Sequence, residues 1–345
     1  MSTSALSVVM SVYNAAPFLD AAIQSVRDQS FAGFEFLIVD DGSTDDSPAI
    51  IAAHAAQDSR IHPVLRENRG LIASLNELLG QARAPLIARM DADDICMPER
   101  FARQMAFLAE HPDHGVVGSQ VDHIDEHARP FALTDSLYPA SHAEVLRAIE
   151  ENRPVLCHPS VMFRSQAVRA AGGYHAAFRH CEDLDLWLRL AGIARIANLP
   201  ERLLRYRHYA GQVSFRHALE QQTGAAIARL AYRERQNGRA DPTAGLATLP
   251  PIDALDELFA KPGTAVAIRH QVARNLLYSP PGLGGAGFDL LLRHLAEGGS
   301  HDGMWRTVAR LVRFGMPVRA LRLAARLLAS HPTAATAHAA AAQTA

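Results

Sequence analysis

The chain is poor in cysteine. Cys96, Cys157 and Cys181 are all that its 345 residues hold. They form no CxxC pair, and so sparse and odd a count points to reduced thiols in the cytoplasm rather than a disulfide-stapled fold. The neighbours Cys157-His158 and His180-Cys181 match no standard zinc spacing. A basic excess is missing too. The formal net charge is −2, and without a basic stripe no nucleic-acid partner is expected. No uncharged apolar run reaches about 18 residues, so no membrane span is expected. The start, "MSTSALSVVMSVYN", lacks the basic opening and apolar centre of a signal peptide.

What is present is an ordinary globular balance, 48% apolar and 20% charged, enough to bury a sizeable core. The length suggests one large domain plus an addition. Strand and helix signals alternate through the first 115 residues. "LSVVMSVYN" reads as a buried strand, and the stretch after it carries Phe18, Leu19, Ile23 and Val26 at helical spacing behind Pro17. "FEFLIVDDGSTDDSPAII" repeats the pattern, with a helix from Ser47. "IHPVLREN" and "APLIARMDADD" read as further strands, "GLIASLNELLGQA" and "PERFARQMAFLAEH" as further helices. Such alternation implies a parallel sheet with helices on both faces. Ligands then sit at the carboxyl ends of the strands. Tyr13-Asn14, Asp40-Asp41 and Asp91-Ala-Asp93 all fall at those ends.

After 115 the rhythm changes. "GVVGSQVDHID" and "SVMFRSQAV" read as strands, and "EDLDLWLRLAG" as a helix with acids in its first turn, where the helix dipole favours them. From 216 strand signals stop. "NGRADPTAGLATLPP" and "YSPPGLGGAG" read as linkers between short helices. The expected division is a domain over 1–215, with halves 1–115 and 116–215, followed by a helical region over 216–345.

The stretch "LIARMDADDICMPERF" places Asp91, Asp93 and Asp94 within four positions after a strand. A folding argument alone gives no reason for such crowding, whereas a divalent cation does. The plain alternative is a solvated acidic turn.

Taken in order, "SVVMSVYNAAPFLDAAIQSVRDQSF…FEFLIVDDGSTDDS", "LIARMDADD…PERF…Q" and "HPSVMFR…GGY…EDLDLWLRLA" resemble the family 2 glycosyltransferases. The resemblance covers roughly 6–215. It implies a GT-A fold, an α/β Rossmann-like, mostly parallel sheet flanked by helices, here followed by an α-helical C-terminal extension. It implies inverting transfer of a sugar from a nucleotide diphosphate-sugar, a UDP-sugar above all, to a hydroxyl of a glycan or lipid-linked acceptor in cell-surface polysaccharide or glycolipid synthesis. Asp91 and Asp93 form its DxD pair for Mn²⁺ or Mg²⁺, hard cations suited to carboxylate oxygen and to a leaving diphosphate. Asp94 is set apart as the cap of the following helix. Asp41 would accept from the base, Ser11 and Tyr13 would line its pocket, and Asp40 organises the turn. Arg69 and Arg89 would face ribose or phosphates, although Arg89 alternates with Asp91 and could pair with it. Asp183 of the "ED" motif is the expected general base, with Glu182 at the acceptor. Asp185 should face solvent and Trp187 the core. His158 lies near the acceptor side or is a buried structural histidine.

One departure stands out. After the ED helix many members carry a histidine that approaches the metal or diphosphate. Here "YRHYAGQVS" keeps Arg207 and Ser214 but puts Tyr209 at that position, and His208 one place earlier would face the opposite side. A catalytically impaired nucleotide-sugar-binding scaffold is the second reading. An aspartyl phosphatase fits less well, because the acids follow the fourth strand and run on as "DICMP". In the tail, arginines recur among Leu and Val, so peripheral contact with the inner face of a membrane is a further expectation beside the plain one of a solvated basic face.

Overall fold

The computed structural model describes residues 4–133, 137–209 and 217–330. The chain forms two compact units, Met1–Ala210 and Gly211–Ala345. Ser214 lies outside the described residues.

The first unit opens with four strand–helix repeats: β1 (Leu6–Val12), α1 (Ala16–Arg27), β2 (Phe34–Asp41), α2 (Ser47–Gln57), β3 (Ile61–Arg66), α3 (Leu71–Gln81), β4 (Leu86–Asp91), the short β5 (Ile95–Cys96) and α4 (Arg100–Glu110). The central strands read as continuous apolar runs because helices cover both faces. Val8, Met10 and Val12 of β1 pack with Leu19, Ile23 and Val26 of α1 and with Phe36 and Ile38 of β2. Each such side chain contributes about 1.5–3 kcal/mol on burial. Pro17 stands in the first turn of α1, where its missing N–H costs nothing.

The second half adds β6 (His114–Ile124), β7 (Pro130–Phe131), α5 (His142–Glu150), β8 (Met162–Arg164), α6 (Ser165–Ala170), α7 (Glu182–Leu190) and β9 (Arg195–Arg207). The sheet order is β3-β2-β1-β4-β8-β6-β9-β5, with β7 beside β6. Strands β3, β2, β1 and β4 are parallel. Short β8 then pairs antiparallel with β4 and β6, while β9 runs parallel to β6. The sheet is therefore parallel in its first half and mixed in its second. The segment "SVMFRSQAV" does not continue as a strand. It gives three strand residues, and Ser165 then starts α6 with its N–H on Pro85 O at 2.9 Å.

The second unit is helical, with Ala218–Gln236, Thr264–Asn275, Ala286–Ala296, Met304–Arg313 and Pro317–Ser330 as its longer helices. Its core joins Phe288, Leu291, Leu295, Met304, Leu311, Leu323 and Leu327. The "YSPPGLGGAG" linker holds a short helix, Pro280–Gly284, because the Ser279 hydroxyl accepts from Gly282 N–H and prolines open the turn. All three cysteines are buried, and none of them forms a disulfide. Among the described residues no helix is long and apolar enough to cross a membrane.

Candidate active site

Parallel register brings the strand ends together. Ser11 pairs with Asp91, Val12 with Asp40, and Asp41 with Arg66. Asp40 Oδ1 accepts from Gly42 N–H at 3.1 Å and Ser43 N–H at 2.9 Å, the turn role expected of it. Gly42 lies at φ +77°, and a Cβ there would meet Asn68 N at 2.7 Å, so the position takes only glycine. The same loop supplies the orphan amides of α1, with Ala16 N–H on Asp45 Oδ2 at 3.0 Å and Ala15 N–H on Ser47 Oγ at 3.1 Å.

Asp41 is only 2% exposed and already engaged. Its Oδ1 accepts from the Arg66 guanidinium and from Arg69 N–H at 2.9 Å, its Oδ2 from Gly70 N–H at 2.8 Å. Sequence reading passes over Arg66, and only its register opposite Asp41 could have flagged it. Arg69 meets Asp41 through its backbone, and its side chain is exposed. Tyr13 stands at the rim, 54% exposed, and Ser11 is half-buried.

The acid knot is a turn rather than an extended segment: β4 ends at Asp91, and residues 92–94 reverse the chain. The turn still gathers the carboxylates, and one oxygen each of Asp91, Asp93 and Asp94 lies within 4.8 Å of the others. Burial, then the charge of Asp91, pushes Asp93 up to about 6, against a hydrogen bond from Tyr209 that pulls it down. Asp94 is fully buried and raised well above the carboxylate range by burial, then by Asp93. It does not cap α4, whose N-cap is Glu99. Its Oδ1 instead accepts from Arg207 N–H at 2.8 Å, and its Oδ2 is buried without a partner among the described residues. Three crowded carboxylates, one with an orphaned buried oxygen, form a hard-oxygen set that fits a divalent cation.

The end of β9 closes this turn. Arg207 Nε donates to Asp93 O at 2.7 Å, and its guanidinium lies 4.6 Å over the Phe18 ring. Tyr209 packs on Phe18 at 5.0 Å and gives its hydroxyl hydrogen to Asp93. His208 turns away and pairs with His123 at 2.8 Å.

The second acid pair sits at the start of α7. Glu182 is 6% exposed and pushed up to about 7, by burial first and by Asp183 second. Asp183 is raised by burial, tempered by Leu184 N–H on its Oδ1 at 2.7 Å and by the charge of Arg89. Arg89 is buried and ion-paired with Asp91. Burial alone would lower its pKa, but the charge of Asp91, then Tyr174, turns the shift upward. Its positive charge reaches Asp93, Asp94, Glu182 and Asp183 alike, so both acid clusters share one buried cation. Asp185 does not face solvent. It is 1% exposed and paired with Arg189 at 2.6 Å, an i,i+4 pair closed under the helix. Trp187 is core, edge-on to His158. His158 bonds Tyr174 Oη at 2.7 Å, and burial, then Arg89, holds it well below its usual pKa.

Comparisons with known proteins bear on the family and the fold. The family model described as Glycosyl transferase family 2 matches residues 7–172. The amylovoran biosynthesis glycosyltransferase AmsE of Erwinia amylovora is 32% identical over 214 residues, 61% of this chain and 79% of that protein. Among solved structures, S. aureus TarS 1–349 in complex with UDP-GlcNAc superposes with a TM-score of 0.58 at 18% identity, covering 86% of this chain and 93% of that one. A mannosyltransferase from Pyrobaculum calidifontis in complex with GDP-Man and Mn²⁺ superposes with a TM-score of 0.53 at 18% identity, covering 94% and 87%. At such identities the structural likeness establishes the GT-A fold.

Proposed function

The chain belongs to glycosyl transferase family 2, and we propose that it moves a sugar from a nucleotide diphosphate-sugar to an acceptor hydroxyl with inversion. The observation that carries this reading is the meeting of two acid clusters around buried Arg89. Asp91 and Asp93, with Asp94 behind them, would hold Mn²⁺ or Mg²⁺. Such a cation neutralises the charge that gathers on a departing diphosphate. Arg89 acts through Asp91, fixing its carboxylate and balancing the surplus negative charge. Asp183 takes the proton of the acceptor hydroxyl as its oxygen bonds to the anomeric carbon. The bond from that carbon to the phosphate oxygen breaks, and its electron pair leaves with the diphosphate. A carboxylate held above its usual pKa is the stronger base for this step. Glu182 sits beside the acceptor. Asp41 keeps a lone pair on Oδ2 for a base N–H, with Ser11 and Tyr13 at the pocket wall and Arg69 at the ribose or phosphates.

A UDP-sugar is the preferred donor, residues 1–115 are the donor half and 116–215 the acceptor half. The relatedness to AmsE supports a polysaccharide or lipid-linked glycan as acceptor. The test is turnover of a panel of UDP- and GDP-sugars by the full chain with and without Mn²⁺. Asp93→Ala should lower the rate at least about a hundredfold. Unchanged turnover in that variant sinks the metal assignment. Nucleotide binding by calorimetry with no turnover across the panel would favour the scaffold reading.

A further inference from the structure

The last two helices of the described chain carry an apolar surface that the fold does not use. Helix Met304–Arg313 buries Met304, Thr307 and Leu311. Helix Pro317–Ser330 buries Ala320, Leu323 and Leu327. These i, i+3, i+7 seams account for the inward faces. A second seam runs outward on each helix, about a third of a turn round at 100° per residue. On the first it is Trp305 and Val312, 49% and 58% exposed, and on the second Val318, Leu321 and Leu328, at 69%, 73% and 65%. Isolated exposed apolar residues are commonplace. Five at helical spacing, headed by a tryptophan, form a patch with a use.

Charge selects the partner. Residues 303–330 contain six arginines and no acid, in a chain whose net charge is −2. The fold employs some of these guanidinium groups. Arg310 lies 4.0 Å over the Tyr278 ring, and Arg319 bonds Gly285 O at 3.2 Å and covers Phe288. Arg322 also lies 5.4 Å over the Phe288 ring and 3.9 Å from the Asp289 carboxylate. It and Arg326 are exposed on the second helix, as Arg306 and Arg313 are beside the Trp305 seam. An apolar stripe bordered by guanidinium groups matches the boundary between acyl chains and phosphate headgroups. Tryptophan settles there, and arginine meets phosphate oxygens in pairs. A second copy of the chain is disfavoured on this face, since a two-fold contact would set arginine against arginine.

We propose that the 304–330 helix pair docks on an anionic phospholipid surface, its outward seams in the interface and its arginines on the headgroups. The inference is independent of the transferase reading, because binding to vesicles requires neither donor nor turnover.

The test is co-sedimentation of the full chain with vesicles of phosphatidylglycerol and phosphatidylcholine, against vesicles of phosphatidylcholine alone. The chain should pellet with the first and not the second, and the bound fraction should fall as salt is added. Two double variants, Trp305→Ser with Leu321→Ser and Arg306→Gln with Arg313→Gln, should each weaken binding about tenfold. Both pairs are exposed, so thermal unfolding should stay as in the parent. Equal pelleting of parent and variants overturns the proposal. So does failure to bind anionic vesicles, or a dimer by light scattering that the apolar variant converts to monomer.

Discussion

Glu182 ionises in the folded chain only near pH 7, against about 4.5 for its ordinary value. Between those limits the fold keeps a proton that the unfolded chain gives up. The stability this contributes is complete at low pH and is lost as pH rises toward 7. Glu182→Gln should therefore raise the Tm by about 2–4 °C at pH 8 and barely move it at pH 4.5, while costing activity. Equal shifts at both pH values would refute the buried-carboxyl account. Tyr209→Phe removes the hydroxyl given to Asp93 without emptying the stack on Phe18. The Mn²⁺ concentration for half-maximal binding should rise about three- to tenfold in a titration, and the Tm should hold. Asp91 and Asp93 are legible as a candidate cluster because crowded acids need a chemical reason, and Glu182 and Asp183 as candidates through the family's ED motif. The job of Asp94 is not, since its partner Arg207 lies 113 positions away. Asp185 misleads because an acid on a helix reads as solvated until Arg189, itself donating to the carbonyl of Ala171, closes over it.

Elements are legible where one period rules them. The strand–helix alternation through α4 follows from apolar runs between polar turns, and the structure keeps it. The inner face of α4 shows the limit. Arg100 is fully buried and donates to Arg89 O at 2.8 Å and Val161 O at 3.0 Å, while Gln104 reaches Ser160 O at 2.7 Å and Val117 O at 3.2 Å. These two polar side chains seat the helix on β4, β6 and the approach to β8, and an apolar template cannot foresee them. Arg100→Met should cost about 2–4 kcal/mol by denaturant unfolding, since the buried carbonyls of Arg89 and Val161 each lose a charged donor. The neighbouring Arg103→Met, exposed on the same helix, should stay within about 0.5 kcal/mol. A comparable loss at both positions would contradict this. The start of α5 carries its own signal, since Ser141 and Glu144 form a reciprocal capping box. The reading of "SVMFRSQAV" fails for another reason. Its β-branched and aromatic residues fit a strand, but β8 is limited to the three residues that neighbouring strands can pair.

For the whole molecule, the sheet-centred unit through Ala210 and the helical unit after it each have their own core. UDP with Mn²⁺ should raise only one of two calorimetric transitions, by about 5–10 °C at a hundredfold excess over the Kd. Movement of both together, or of neither, would count against a nucleotide site confined to the first unit. The link from Arg207 to Asp94 also bears on how the molecule is made. The acids emerge early in synthesis, and the residue that ties their turn down follows 113 positions later. At about 5–20 residues per second that interval is roughly 6–23 s. Throughout it the nascent chain holds three crowded carboxylates without the strand that braces them. A ribosome that stops before β9 is complete releases a polypeptide that carries the acid turn without the residue that ties it down.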